Sequence, residues 1–335
     1  MIFITGTYPP QKCGVGDYLY CIMTSEIGKE WSVFYDVDWK LSNLPRLIKK
    51  MKCVTDPIIN LQYPTMGYGT HLSPHILCLY AKFFLGKKIY VTIHEYSQLG
   101  WKGKLALKPL FAISEKVIFT TEYEKNQAEK IAHIQNGCVI KINSNIPSSP
   151  QIKEIKDRSW DVGYFGYLRP QKGLEEFLAT AKQVKEKNVN AKICILGSIQ
   201  PEFENYSKDI LRIAEQIGVS YLGENTPQHT AEMINDIKIM YLPFPDGLSE
   251  RRGSFLASVV NGCVIVSKRG NFTTYEQQQS CVFASGDEAA FVITQLLDDG
   301  AKLAEYQKKT LLFSKKNVPG SWNEIAKKYK ELIEQ

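Results

Sequence analysis

The sequence predicts two doubly wound α/β domains in tandem, and three observations carry that prediction. The chain has 335 residues, more than one ordinary core supports and suited to two domains of about 150 to 170 residues. Short apolar runs alternate with helix-period segments along nearly its whole length, the pattern of βαβ units and parallel sheets. The alternation breaks once, over 141–158, a polar stretch with two prolines and three serines that reads as a linker.

In the first half the apolar runs Ile2–Thr5, Val33–Asp36, Ile58–Gln62, Ile89–Ile93, Lys116–Thr120 and Cys138–Ile140 predict strands. Helical segments near 16–28, 43–52, 74–85, 103–113 and 123–133 lie between them. After the break, strands are expected at Asp161–Phe165, Lys192–Leu196, Val219–Leu222, Ile237–Leu242 and Val264–Val266. Helices are expected near 174–187, 203–217, 228–235 and 250–261, with three more near 287–297, 302–314 and 321–334. The domains are placed at 1–148 and 149–320, with 321–335 a helix returning toward the first. Ligands of such sheets bind outside the carboxyl ends of the strands, so the expected site is the cleft that the two domains face.

Composition narrows the classes. Hydrophobic content of 44% and charged content of 23% are those of a globular protein. No run reaches the roughly 18 apolar residues that span a bilayer, and Met1–Thr5 reads as a first strand, not a signal peptide. The eight cysteines are scattered without a Cys-x-x-Cys pair, which points to a cytoplasmic protein without a disulfide framework or a metal centre. The net charge of +6 is not interleaved with stacking aromatics on one stripe, so nucleic acid is not the expected partner. The segment 39–52 combines five basic residues with Trp39, Leu41, Leu44, Leu47, Ile48 and Met51. It reads either as a solvated helix face over an ordinary core stripe or as a seat on an anionic membrane surface.

Chemistry concentrates at five strand ends. Residues 243–254 leave a strand through a Pro/Asp/Gly loop and deliver Arg251, Arg252, Gly253 and Ser254 to a helix start. Helix N-termini attract anions, and arginines add bidentate donors suited to phosphate. Gly166-Tyr-Leu-Arg169-Pro-Gln-Lys172-Gly173 likewise leads from a strand into a helix. Four cations, Arg169, Lys172, Arg251 and Arg252, stand on two strand ends of one sheet and call for a dianion or diphosphate between them. In the first domain, Gly14-Val-Gly16 opens the first helix after a Pro-Pro loop. It makes a poor dinucleotide fingerprint, although Asp36 follows about twenty residues later. Gln62 and Tyr63 end one strand, and His94, followed by Glu95, ends another.

These motifs, in this order, resemble a GT-B glycosyltransferase of family 4 (glycosyltransferase group 1). The matching pieces are Pro-Pro…Gly-Val-Gly, Thr-Ile-His94-Glu, Gln-Tyr-Pro-Thr…Gly-Tyr-Gly, Gly166…Lys172-Gly173, and Asp-Gly…Ala-Ser-Val-Val-Asn-Gly-Cys-Val-Ile-Val. The resemblance spans nearly the whole chain. It implies that the second domain binds a UDP- or GDP-sugar and the first an acceptor, a carbohydrate or lipid-linked glycan, with retention of configuration and no obligatory metal. It places Lys172 on the phosphate-binding lysine, His94 on the histidine that contacts the transferred sugar, and Gly16 on the loop near the diphosphate. The chain departs from the family's pattern at two points. Tyr167 stands where the family has an arginine, with Arg169 two residues on. Ser249 and Ala257 stand where it has two glutamates, with Asp-Gly-x-Ser-x-Arg-Arg-Gly-Ser in that block. The expected reaction is hexosyl transfer in cell-surface polysaccharide or glycolipid synthesis, at the inner face of the plasma membrane. The lost glutamates leave a nucleotide-sugar-binding scaffold subunit or a sugar-nucleotide epimerase as alternatives. Glu95 and Asp246 are the nearest carboxylates for a base, and Gln62, Tyr63 and Ser249 are the expected substrate contacts.

Overall fold

A computed structural model describes residues 1–11 and 13–334. The chain divides into two compact units, Met1–Asn143 with Pro319–Gln335, and Ser144–Val318. Among the described residues each unit is built on one six-stranded sheet, parallel throughout.

The first unit contains strands β1 (Ile2–Thr5), β2 (Ser32–Tyr35), β3 (Ile58–Tyr63), β4 (Lys88–Ile93), β5 (Lys116–Phe119) and β6 (Gly137–Val139), in the order β2-β1-β3-β4-β5-β6. Its helices are α1 (Gly14–Thr24), α2 (Leu44–Lys52), α3 (Ser73–Leu85), α4 (Trp101–Ile113), α5 (Glu122–Glu129) and the last helix of the chain, α13 (Trp322–Glu334). The inner strands are apolar on both faces because helices cover both. Leu47, Leu77, Leu107 and Leu110 pack on one face of the sheet. Tyr18, Leu19, Ile325 and Tyr329 pack with Phe3 on the other. The amphipathic α13 therefore completes the core of the first unit.

The second unit contains β7 (Trp160–Phe165), β8 (Ile193–Leu196), β9 (Ser220–Tyr221), β10 (Ile237–Leu242), β11 (Val264–Ser267) and β12 (Val282–Phe283), in the order β12-β11-β10-β7-β8-β9. Counted from its own first strand the order is 6-5-4-1-2-3, the Rossmann arrangement. Its helices are α6 (Leu174–Lys187), α7 (Glu204–Gln216), α8 (Pro227–Asn235), α9 (Gly253–Val260), α10 (Tyr275–Ser280), α11 (Gly286–Asp298) and α12 (Gly300–Asn317). Strand order reverses between β1 and β3 in the first unit and between β7 and β10 in the second. Crevices for ligands open at such points.

Several expectations need correction. The polar stretch 141–158 is not a free linker: Ile155 enters the core of the second unit. Arg158 is buried, and its guanidinium donates to the carbonyls of Lys153, Ile237 and Asn261. The units part after Asn143, five residues before the expected boundary, because Asn261 donates to the Pro147 carbonyl and accepts from the Ser149 amide. The strand expected at Val219–Leu222 shortens to two residues, the helix expected at 250–261 starts at Gly253, and α10 and β12 were not anticipated. In the segment 39–52, Leu47 and Met51 face the core with Trp39. Arg46 and Lys50 both bind the Asp36 carboxylate. Trp39, Leu47 and Met51 are core and Ile48 packs against it, so most of the apolar stripe turns inward, while Leu41 stays 53% exposed.

Candidate functional site

In the second unit the two loops at the strand-order reversal touch. The loop after β7 ends at Gly173, which has φ +81° and lies against the Pro243 backbone at the start of the loop after β10. Gln171 also takes a left-handed conformation, φ +63°. A non-glycine residue held there is strained, and such strain gathers at ligand-binding loops.

Arg169 and Arg252 come from these two loops. Both stand close enough to the buried Tyr164 hydroxyl to oppose, by their charge, the rise in its pKa that burial imposes. The Arg169 Nε is buried without a hydrogen-bond partner. Arg252 binds the Asp246 carboxylate and lies over the Phe244 ring, 4.8 Å from its centroid. Arg251 lies over Phe272 at 4.9 Å. The Lys172 carbonyl accepts from Tyr164 Oη at 3.3 Å, fixing the backbone that carries the lysine.

Two helices begin here without side-chain caps. Gly173 precedes α6 and Arg252 precedes α9, so the first-turn amides of both are available to an anion. Gly253 is exposed, and a β-carbon on it would meet nothing within 4 Å. The two glutamates in the first turn of α6 do not oppose an anion as bare charges. Glu175 accepts from Tyr206 Oη at 2.7 Å. Glu176 accepts from Lys268 Nζ at 2.5 Å, Tyr241 Oη at 3.1 Å and the Gly286 amide at 3.1 Å. Burial works against ionisation of Glu176, but these donors outweigh it and hold its carboxyl below the usual range.

Ser249 is buried with an unpartnered hydroxyl, and Ala257 is fully buried on the core side of α9. Asp246 is not a free base, since Arg252 occupies it. Ser254 sits in the first turn of α9, its carbonyl accepting from Ser258 Oγ at 2.7 Å.

In the first unit the loops after β1 and β3 flank the other reversal. Gly14 starts α1, and Gly16 packs so near the Thr7 carbonyl that a β-carbon would stand 2.9 Å from its oxygen. His94, at the end of β4, is buried. Its Nε2 lies 2.9 Å from Gln62 Oε1, and Gln62 Nε2 donates to Asn60 Oδ1 at 2.6 Å. With Gln62 Oε1 as acceptor, His94 carries its proton on Nε2 and leaves Nδ1 as an acceptor. Burial pushes the His94 pKa down to about 3, so the ring is neutral at physiological pH. The chain of polar groups continues from Asn60 through Thr92 to Tyr329 and Tyr18, each step 3.0 Å. Tyr18 closes edge-on against the His94 ring at 5.0 Å.

Two expected substrate contacts take other roles. Gln62 spends both ends of its amide on His94 and Asn60, so it orients the histidine. Tyr63 points to the opposite face of β3, stacked near Tyr68 and against His75. Glu95 is half-buried beside His94. The sequence reading missed Asn60, Thr92 and Tyr329. Polar residues inside the apolar runs of β3 and β4 were the available signal for the first two. Glu176, Lys268, Phe244 and Phe272 were missed as well, and nothing local distinguishes them.

Residues 145–311 match the family model of glycosyl transferases group 1. The second unit is a group 1 glycosyl transferase domain. The chain is thus a glycosyltransferase, with the cation-lined loops inside the matched region. Among solved structures the glycosyltransferase resembles HepE of Anabaena, determined with UDP and glucose, at 12% identity and a TM-score of 0.72, covering 100% of this chain and 99% of that one. Sucrose-phosphate synthase from Thermosynechococcus elongatus gives a TM-score of 0.75 at 12% identity, covering 100% and 98%. TarM of S. aureus gives 0.62 at 16% identity for the form solved with fondaparinux, alpha-GlcNAc-glycerol and UDP, covering 88% of this chain and 59% of that one. At these identities the likeness is one of fold. No curated protein sequence matches the chain.

Proposed function

We propose that this glycosyltransferase moves a hexosyl group from a nucleoside diphosphate sugar, a UDP- or GDP-sugar, to an acceptor hydroxyl with retention of configuration. The observation that carries the reading is the convergence of Arg169, Lys172, Arg251 and Arg252 with two uncapped helix starts at one strand-order reversal. When the bond from C1 to the β-phosphate oxygen breaks, negative charge collects on the phosphate. Preorganised donors aimed at such charge contribute about 3 to 4 kcal/mol each in the transition state. The acceptor oxygen bonds to C1, and its proton passes to the departing phosphate oxygen, which suits a site where Asp246 is held by Arg252 and the α6 carboxylates Glu175 and Glu176 already accept from Tyr206 and from Lys268, Tyr241 and the Gly286 amide. The cations perform the neutralisation, so the scheme requires no metal.

His94 supports the sugar-contacting role. Neutral, with Nδ1 as acceptor, its ring is suited to receive a hydrogen bond from a sugar hydroxyl. Ser249 supplies an unpaired hydroxyl where the family resemblance places a glutamate. The acceptor reading, a cell-surface polysaccharide or a lipid-linked glycan, rests on family habit and on the surface of the first unit described below.

The test is a thermal-shift screen over nucleoside diphosphates and their sugars, followed by turnover of the stabilising donor and NMR of the product anomer. A selective donor stabilises by mass action, and an α-linked donor is expected to give an α-linked product. Binding without transfer or hydrolysis across a broad acceptor panel would instead assign a scaffold role, and reversible change of the donor sugar an epimerase.

A further inference from the structure

The outer faces of α3 and α4 form an apolar and basic surface with no acidic residue on either helix. On α3, Leu72 precedes the helix and Ile76, Tyr80 and Phe83 follow at helical spacing, on the side turned away from the sheet. Leu72 is 47% exposed, Phe83 68% and Phe84 75%. On α4, Trp101 is 72% exposed and Leu105 54%, one turn apart. Their inward counterparts, Leu77, Cys78, Leu107 and Leu110, are fully buried in the core. The two helices pack side by side, so the exposed apolar side chains belong to one face of the unit. Several large apolar side chains exposed on one face in this way mark a contact site.

Charge selects the partner. Helix α4 carries Lys102, Lys104 and Lys108 without an acid, while Lys82 of α3 is paired with Glu115, just beyond α4, at 2.8 Å. Lys102 and Lys108 are exposed beside Trp101 and Leu105. The neighbouring α2 adds exposed Lys49 and Lys52. Exposed tryptophan, leucine and phenylalanine between lysines fit the headgroup region of an anionic bilayer, where the rings and aliphatic chains enter the interface and the ammonium groups meet lipid phosphates. No helix of the described residues is long and apolar enough to cross a membrane.

We propose that the α3–α4 face seats the first unit on an anionic lipid surface, in place of the 39–52 segment whose apolar stripe is mostly core. Trp101 lies seven residues beyond His94, and α4 starts at the same carboxyl edge of the sheet. An acceptor carried on a lipid in that surface is thereby presented on the side where His94 stands. The docking surface does not depend on the donor reading.

Flotation of the full chain with vesicles containing phosphatidylglycerol, compared with phosphatidylcholine alone, tests it without donor or acceptor present. The expected result is binding to phosphatidylglycerol vesicles at low salt, release at high salt, and little binding to phosphatidylcholine. The charge-reversed variant K102E/K104E/K108E is expected to lower the bound fraction at least tenfold. Brominated lipid is expected to quench tryptophan emission in the parent chain and much less in Trp101→Phe, which retains an aromatic ring and keeps the fold. Absence of binding at low salt, or binding that both variants leave intact, overturns the proposal. So does a concentration-dependent dimer, abolished by Phe83→Ser or Trp101→Ser and insensitive to lipid, which assigns the face to a second copy of the chain.

Discussion

Gly173 lies against Pro243 so closely that a β-carbon on it would stand 2.1 Å from the Pro243 carbonyl oxygen. This approach joins the loops after β7 and β10, the two segments that carry the four cations. Gly173 also holds φ +81°, a conformation that costs L-residues free energy. Gly173→Ala is therefore expected to lose about 1 to 3 kcal/mol from backbone strain alone, with further loss from the clash. A lowered melting temperature together with weaker donor binding is the expected pair of readouts. An unchanged melting temperature refutes the packing argument.

The phosphate reading predicts that Arg169→Ala, Lys172→Ala and Arg251→Ala each reduce turnover at least tenfold, or ~1.4 kcal/mol, while leaving thermal stability nearly unchanged. Steady-state kinetics with the donor found by the screen decides this. Full activity in all three removes the cations from the mechanism.

Ser249→Ala separates a ligand contact from a structural residue. A buried hydroxyl without a partner costs free energy that its removal returns, about 1 kcal/mol or more. The variant should be as stable as the parent or more so. If Ser249 meets the donor, its KM rises at the same time. Loss of stability without change in KM would show that the hydroxyl serves the fold.

Glu176 ties α6 to β10, β11 and α11 through Tyr241, Lys268 and the Gly286 amide. Glu176→Gln removes the charge that Lys268 faces and leaves that ammonium without its carboxylate. A loss of about 1 to 3 kcal/mol is expected, read by chemical denaturation. A change in donor KM should accompany it if the uncapped first-turn amides of α6 meet the donor phosphate.

Two buried histidines set a pH dependence. Burial lowers the pKa of His94 to about 3 and that of His75 to about 4, from an ordinary 6.5. Between those values and 6.5 the unfolded chain binds protons that the folded chain does not, so stability rises with pH in that window. It is fully present above about pH 6.5 and is lost as the pH falls toward 4 and then 3. At pH 5 each histidine is expected to cost roughly 2 kcal/mol relative to pH 7. Denaturation at the two pH values should show this slope. The double variant His75→Leu, His94→Asn should lack it, and a slope retained in that variant assigns the effect to other groups.

Most of the fold was legible because it depends on local pattern. The runs Ile2–Thr5 and Ile237–Leu242 are continuous apolar segments, as strands covered on both faces must be, and both were placed to the residue. Val219–Leu222 was overestimated because an edge strand needs few ladder bonds. Residues 275–283 were missed because α10 is a short polar helix held by a Thr274–Gln277 capping box and β12 has only two residues. Residues 141–158 looked like a linker because their order comes from Arg158 and Asn261. Those bonds run to the distant segments 235–237 and 257–263.

At the site, the sequence alone determined the cation-bearing strand ends, since residue type and position after a strand suffice for that. It also determined the doubly wound class, through the alternation of strand and helix. Only the tertiary structure decided that Asp246 is held by Arg252, that Gln62 orients His94 and that Ala257 faces the core. Likewise it decided that the exposed apolar surface lies on α3 and α4, while most of the stripe of 39–52 turns inward. Amphipathic spacing gives the apolar side of a helix, but not whether that side meets a sheet or water. That depends on which neighbours the chain brings to it.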